Sequence, residues 1–305
     1  MKKKETKQTG IISMYDMKTT SGKIAYWSFF TILCLISIVA LIPAIWTFFM
    51  SLKEPQEIFN STAFFPQDMS FKNLSNRIIK GWEYLDLELP FINTIFLSIG
   101  NLVMRLLVCG LGGYVISKVK PKGYKFIFTL VVWTMMMPSQ IRMVPVYISY
   151  LHFPFGIDVG SGVNILDTYW PMWFEAASDA FAILLFKNSF DALSDSYVEA
   201  ARIDGCSTIG IFFKIMLPLS KPIIIYESIN VLTSSWSNFF TPLLVINSNE
   251  KVVLPLAIYR LKQDTGVQLN EYFLGLVFAS IPAFLIYAIF QKHIMGGINI
   301  GGVKG

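Results

Sequence analysis

Polar residues divide the chain into six apolar runs: about Tyr26 to Met50, Phe91 to Ser117, Phe126 to Leu151, Tyr169 to Phe186, Ile223 to Ile246 and Tyr272 to Phe290. At about 1.5 Å per residue, a helix of this length crosses the roughly 30 Å hydrocarbon core of a bilayer. The pattern predicts an all-α membrane protein with six transmembrane helices. A polar, helix-forming insertion lies between the fourth and fifth runs, SYVEAARIDGCSTIGIFFKIMLPLSKP from Ser196 to Pro222. Ser196 and Glu199 have capping-box spacing, so a short helix is expected from about Tyr197. Ala200, Ala201 and Arg202 propagate it, and Asp204-Gly205 ends it, because glycine takes the left-handed conformation of a helix C-terminus. A second helix is capped by Ser207 or Thr208. Its Ile209, Phe212, Phe213, Ile215 and Met216 are expected to lie against the membrane surface, before Leu217-Pro218 stops it.

Composition agrees with the pattern. Of 305 residues 54% are hydrophobic and 15% charged, with 26 Phe and a mean hydropathy of +0.54. A soluble chain of this size needs more polar surface. Cys34, Cys109 and Cys206 stand alone without metal-ligand spacing, and His152 and His293 are distant from any such cluster. The sequence contains no G-x-x-x-x-G-K-[ST], G-x-S-x-G or H-E-x-x-H. The chain is therefore read as a non-enzyme with no cofactor of its own. The first apolar run lacks a small-residue cleavage site and is read as a retained helix.

Net charge is +5, and its distribution decides what that means. Sixteen Lys and Arg lie in the N-terminus, the second and fourth connections and the C-terminus, against seven in the other three connections. The positive-inside rule places both termini and the Ser196 to Pro222 stretch in the cytoplasm. The basic excess is thereby explained by topology, with no nucleic-acid partner. The expected divisions are a cytoplasmic segment 1–25, a membrane domain 26–293 carrying the cytoplasmic loop 196–222, and a cytoplasmic tail 294–305. The connection from Ser51 to Pro90, with Trp82, Tyr84, Glu83, Asp86 and Glu88, reads either as a small outer cap or as an irregular loop on the headgroups.

Ionisable groups within a span are expensive to bury and face the bundle interior or a watery path. Arg105, Arg142, Glu175 and Asp179 are such groups. Glu175 and Asp179 are four apart, hence on one face of a helix, where they could meet Arg142. Together they read either as a hydrophilic path or as a buried structural ion pair. The run Thr233, Ser234, Ser235, Trp236, Ser237, Asn238 cannot all face lipid. Trp236 offers a flat apolar face and Asn238 amide donors, as a sugar requires, although interhelical hydrogen bonds are the competing reading. Pro138 and Pro145 around Gln140 predict a broken, cavity-lining third span.

Glu199-Ala200-Ala201, Asp204-Gly205, Ile215, Leu217-Pro218 and Pro222 resemble the EAA loop of binding-protein-dependent ABC importer permeases. Phe91-x-Asn93-Thr94, Pro138-x-Gln140, Pro145-x-Tyr147, Trp236 to Pro242 and the Gln291-Lys292 to Gly305 terminus are similar to its carbohydrate-uptake branch, the second permease of maltose-type systems. The resemblance covers nearly the whole chain. It implies a multi-pass permease of the bacterial cytoplasmic (plasma) membrane, in contact with membrane lipid, that pairs with a homologous permease. It also implies two ATPase subunits that carry ATP and Mg, and an extracytoplasmic solute-binding protein that delivers an oligosaccharide. Glu199, Ala200, Ala201, Asp204, Gly205, Leu217 and Pro218 would form the ATPase-coupling hairpin, and Gly302, Val303, Lys304 and Gly305 a tail that reaches the same ATPases. Gln140, Arg142, Glu175, Asp179, Trp236, Ser237 and Asn238 are the candidate translocation path. Glu175 and Asp179 lie outside the family pattern. The alternatives are a proton-coupled secondary transporter using those two acids, a non-conducting membrane scaffold, and an importer of an acidic sugar or a non-sugar solute.

Overall fold

The computed structural model describes residues 19–60, 62–68, 70–154 and 162–295. Among them the regular structure is helical apart from one isolated antiparallel bridge between Phe153 and Val163. Helix α1 (Thr20–Leu52) starts where the Thr19 hydroxyl accepts the Gly22 N–H at 3.0 Å. The connection after α1 is ordered by α2 (Phe71–Leu85), whose Trp82 meets Phe91 and Phe278 edge-on at 6.5 and 5.0 Å. It is neither wholly irregular nor a separate cap. Helix α3 (Glu88–Val119) is continuous, with two widened π-type turns at Arg105–Cys109 and Val115–Val119. Such turns are frequent at functional sites.

The next three apolar runs are broken. Helices α4 (Tyr124–Met136) and α5 (Ser139–Leu151) meet at a 113° bend. Pro138 causes it, lacking an N–H and holding Met137 in extended conformation. Pro145, expected to contribute to the break, lies inside α5. Helices α6 (Trp170–Ala177) and α7 (Ala180–Asp191) are separated by Ser178 and Asp179, and the Asp179 carboxylate accepts the Ala182 N–H at 3.0 Å as the N-cap of α7. The insertion forms α8 (Ser196–Ile203) and α9 (Thr208–Leu219), which turns through 83° into α10 (Lys221–Ser237). Asn238 then breaks the fifth run in extended conformation, and its side-chain carbonyl accepts the Phe240 N–H at 3.0 Å at the start of α11 (Phe240–Val245). Helices α12 (Leu254–Gln263) and α13 (Leu269–Met295) follow.

Among the described residues α1, α3 and α13 are each long and apolar enough to cross a membrane, and α4 with α5 and α9 with α10 meet that requirement only as bent pairs. The break in run three was expected at its prolines, whereas the expectation of single helices for runs four and five is corrected. Local caps and a proline outweigh apolar continuity there.

Helix α1 rests on α13 and leaves most of its apolar surface open, while α3, α7 and α10 form the centre of the molecule. A Cβ at Gly113 would stand 2.7 Å from the Phe186 Cβ and 2.8 Å from the Lys187 nitrogen, so the approach of α3 to α7 requires glycine. At the end of the bundle remote from the α8–α9 hairpin, Asp167 clamps two connections. Its carboxylate accepts the N–H groups of Ser248 (2.9 Å) and Asn247 (3.0 Å) and the Ser248 hydroxyl (2.9 Å), and the Lys251 ammonium donates to its carbonyl. The Ser248 N–H, with the other donors, holds its carboxyl well below the usual range, at about 2.

Candidate functional site

A polar cavity of about 490 Å³ opens between α3, the α4–α5 bend, the α6–α7 break and the α10–α11 break. The breaks place it there, because each ends a helix at mid-run and turns polar groups inward. Arg142, Glu175, Asp179 and Asn238 line it, as do Asn101, Arg105, Ser234 and Ser235. Gln140, Trp236 and Ser237 do not. The Trp236 ring instead packs edge-on against Phe91 at 5.0 Å. The Ser237 hydroxyl is turned back on its own helix, donating to the Thr233 carbonyl at 2.9 Å.

The charges are sorted differently from the sequence expectation. Glu175 and Asp179 do not share a continuous helix, since α6 ends between them. Arg142 forms no ion pair with either. Arg105 reaches across the bundle instead, to Asp179 at 2.5 Å and to Glu227 of α10 at 3.4 Å. The Glu227 side chain is 0% exposed and that of Arg105 12%. Beside them the Asn101 amide donates to the Ser235 hydroxyl at 2.9 Å. Arg142 and Glu175 are both exposed to the cavity and make no salt bridge among the described residues. Glu227 was missed in the sequence, although the rule that singled out Arg105 applies to it equally: it is the one acid within the fifth apolar run.

At the other end of the same helices stands the hairpin. The expected capping box is absent: Ser196 is already the first residue of α8, and its hydroxyl bonds that of Ser194 at 2.8 Å. The C-terminus of α8 closes as read. Gly205 has φ +79°, its N–H donates to the Arg202 carbonyl at 3.0 Å, and the Cys206 N–H donates to that of Ala201 at 2.9 Å. These two bonds make a Schellman closure. Nothing lies within 4 Å of a Cβ built on Gly205, so backbone conformation alone demands the glycine. Ser207 caps α9 by accepting the Gly210 N–H at 3.1 Å.

The apolar residues of α9 expected on a membrane surface divide, Ile209 and Phe213 being exposed and Phe212 and Met216 turned into the core. Ile211, Phe212 and Met216 are each 0% exposed and pack with Tyr114 of α3 and Phe186 and Phe190 of α7, where Val198 and Ala201 of α8 join them. The helix also continues past Leu217-Pro218 to Leu219. The Lys118 ammonium donates to the Leu193 carbonyl at 2.7 Å and to the Asp195 carboxylate, and its bond holds the Asp195 carboxyl below the usual range. Outward the hairpin presents Glu199, Ala200, Arg202, Asp204 and Ile203, the last 87% exposed. The tail residues Gly302, Val303, Lys304 and Gly305 lie outside the described residues.

Comparison with known proteins agrees with this architecture. Two curated relatives are arabinooligosaccharides transport system permease proteins AraQ. That of Bacillus subtilis is 32% identical over 244 residues, 79% of this chain and 81% of the relative. That of Halalkalibacterium halodurans is 29% identical over 289 residues, 95% of this chain and 100% of the relative. In fold, the chain matches one from a crystal structure of a bacterial ABC transporter involved in the import of the acidic polysaccharide alginate. The TM-score is 0.73 at 24% identity, over 90% of this chain and 98% of that one. The model of the binding-protein-dependent transport system inner membrane components matches residues 108–299, from the second half of α3 through the cavity and the hairpin. That span is more than half of the sequence, and the chain is therefore a member of the binding-protein-dependent transport system inner membrane components.

Proposed function

We propose that the chain is one permease subunit of an ATP-driven, binding-protein-dependent importer of an oligosaccharide. It forms half of the translocation path and takes its drive through the α8–α9 hairpin. The observation that carries this reading is the arrangement of α3, α7 and α10, which hold a polar cavity at one end and a glycine-closed hairpin with an outward acid and isoleucine at the other. In this reading the broken runs are crossings, α6 with α7 being the sixth. Both termini and the hairpin lie in the cytoplasm of a bacterial cell. A homologous permease completes the path, a solute-binding protein delivers the sugar, and ATP with Mg acts on two separate ATPase subunits. The relatives named as arabinooligosaccharide permeases support the substrate class.

Purification of the complex from its native membrane tests the assembly. A second permease and an ATPase are expected to copurify, and Glu199→Lys is expected to abolish uptake while the permease pair stays intact, by reversing charge on the docking face. Undiminished uptake by Glu199→Lys sinks the coupling role. Recovery of this chain alone, in a form that still transports, supports the proton-coupled alternative instead.

A further inference from the structure

The distribution of charge around the cavity bears on which sugars it admits. Five ionisable side chains stand in or directly behind the wall: Arg105 and Arg142 against Glu175, Asp179 and Glu227. Their formal sum is −1, and with one carboxyl protonated it is zero. In neither case is the wall positive. The charge of Arg105 is already offset by Asp179 and Glu227, both of which it meets through Nη1. The ionisable lining side chains that make no salt bridge among the described residues are one guanidinium, Arg142, and one carboxylate, Glu175, with the neutral Asn238 and Ser234 beside them.

A carboxylate accepts hydrogen bonds and a guanidinium donates them. Set around one cavity, they match the mixed donor and acceptor hydroxyls of an uncharged sugar. A uronate would bring a carboxylate next to Glu175 with only Arg142 to balance it. Like charges brought together out of water oppose binding strongly. We infer that this chain contributes a sugar-binding subsite built on Arg142, Glu175 and Asn238 that selects uncharged oligosaccharides over acidic ones, Glu175 being the residue that excludes the acid. The inference rests on the oligosaccharide-importer reading and adds to it both direct ligand contact and a charge rule. The fold it shares with a chain of an alginate importer does not decide the point, because the rule depends on side chains and not on helix paths.

The test uses the complete importer, reconstituted with both permeases and its ATPases. Two probes of equal length are compared, neutral arabinotriose and acidic trigalacturonate. Each is titrated by calorimetry into the solubilised complex without its binding protein, so that only the membrane site is read. Wild type is expected to bind arabinotriose at least about tenfold tighter than trigalacturonate. Glu175→Arg changes the formal sum from −1 to +1 and is expected to reverse the order, and Glu175→Gln to narrow the ratio. Assembly of each variant is checked by size-exclusion chromatography.

Trigalacturonate binding wild type as tightly as arabinotriose overturns the inference. So does an unchanged ratio in an assembled Glu175→Arg complex. Neither probe binding, while the binding-protein-dependent uptake of a neutral sugar persists, sinks the subsite and spares the importer. No saccharide uptake by the complete wild-type system, with ATP and binding protein present, sinks the importer reading itself.

Discussion

Helices α3, α7 and α10 are held together by opposite chemistries at their two ends. At the hairpin end the contact is apolar and closed: Tyr114, Phe186, Phe190, Ile211, Phe212 and Met216 are at most 1% exposed. At the cavity end it is ionic and borders the cavity, with one guanidinium against two carboxylates beside a buried amide-to-hydroxyl bond. Close-packed side chains have one good arrangement and transmit displacement as a rigid body. Hydrogen bonds beside a polar cavity can be exchanged for water or a ligand at little net change. A movement imposed on the hairpin would therefore pass unchanged into the three helices and be absorbed where they surround the cavity. The placement of glycine fits, since Gly113 brings α3 onto α7 within the rigid end.

The contrast can be broken most sharply at the apolar end. Phe212→Ala should lower stability by about 3–5 kcal/mol, through lost transfer energy and an unfilled cavity. Ile211→Val should lower it by only about 0.5–1.5 kcal/mol. Thermal unfolding of the purified complex measures both, and similar losses for the two would show that the cluster is not close-packed.

Next in size is the ionic end. Arg105→Met leaves Glu227 buried beside Asp179 without a cation and should destabilise by about 3 kcal/mol. Asp179 is 33% exposed and keeps part of its solvation, which places the effect at the lower end of the range for broken buried pairs. Adding Glu227→Leu should recover a large part of the loss, because the stranded charge is gone. Arg105→Lys should recover little, since an ammonium is more strongly hydrated than a guanidinium and costs more to bury beside Glu227. Full recovery by lysine in the same unfolding measurement would show that charge alone, without geometry, holds this end.

The smallest effect belongs to the Asp167 clamp, which lies outside both ends. Its folded-state pKa of about 2 is below the roughly 3.9 of an unfolded aspartate. The carboxylate form is thus favoured by folding, so the contribution is complete above about pH 4 and is lost as pH falls towards 2. Protection of the Asn247 and Ser248 amides, measured as hydrogen exchange relative to the intrinsic rate at each pH, should fall over that window in wild type and show no such step in Asp167→Asn. An identical profile in the two would remove the clamp from the account.

Much of the frame was legible in the sequence. Runs one, two and six lie within α1, α3 and α13, where apolar continuity meets no helix-ending side chain of the kind Asp179 and Asn238 supply elsewhere. The turn at Gly205 was legible for a comparable reason, since a positive φ at a helix end has few residue types that satisfy it. The breaks were harder to place. Pro138 announced one, whereas the break at Asp179 and the one at Asn238 hide in single polar residues that read equally well as buried hydrogen-bonding groups. Glu227 carried the same signal as Arg105 in the sequence and became meaningful only beside it.

What the sequence determined by itself is an all-helical chain with membrane-length apolar runs and a charged hairpin between two of them. Those follow from local composition, from the hydrogen-bonding demands of a backbone in hydrocarbon, and from the residue types that start and stop helices. Only the tertiary structure decided which ionisable groups meet. Arg105, Asp179 and Glu227 are 74 and 122 residues apart in the pairs they form, and no local spacing encodes such a meeting. It is set by how closely Gly113 lets α3 approach α7, and by the α6–α7 break, which turns Asp179 inward towards Arg105. The partners of a buried charge are chosen by packing, and packing is a property of the whole chain.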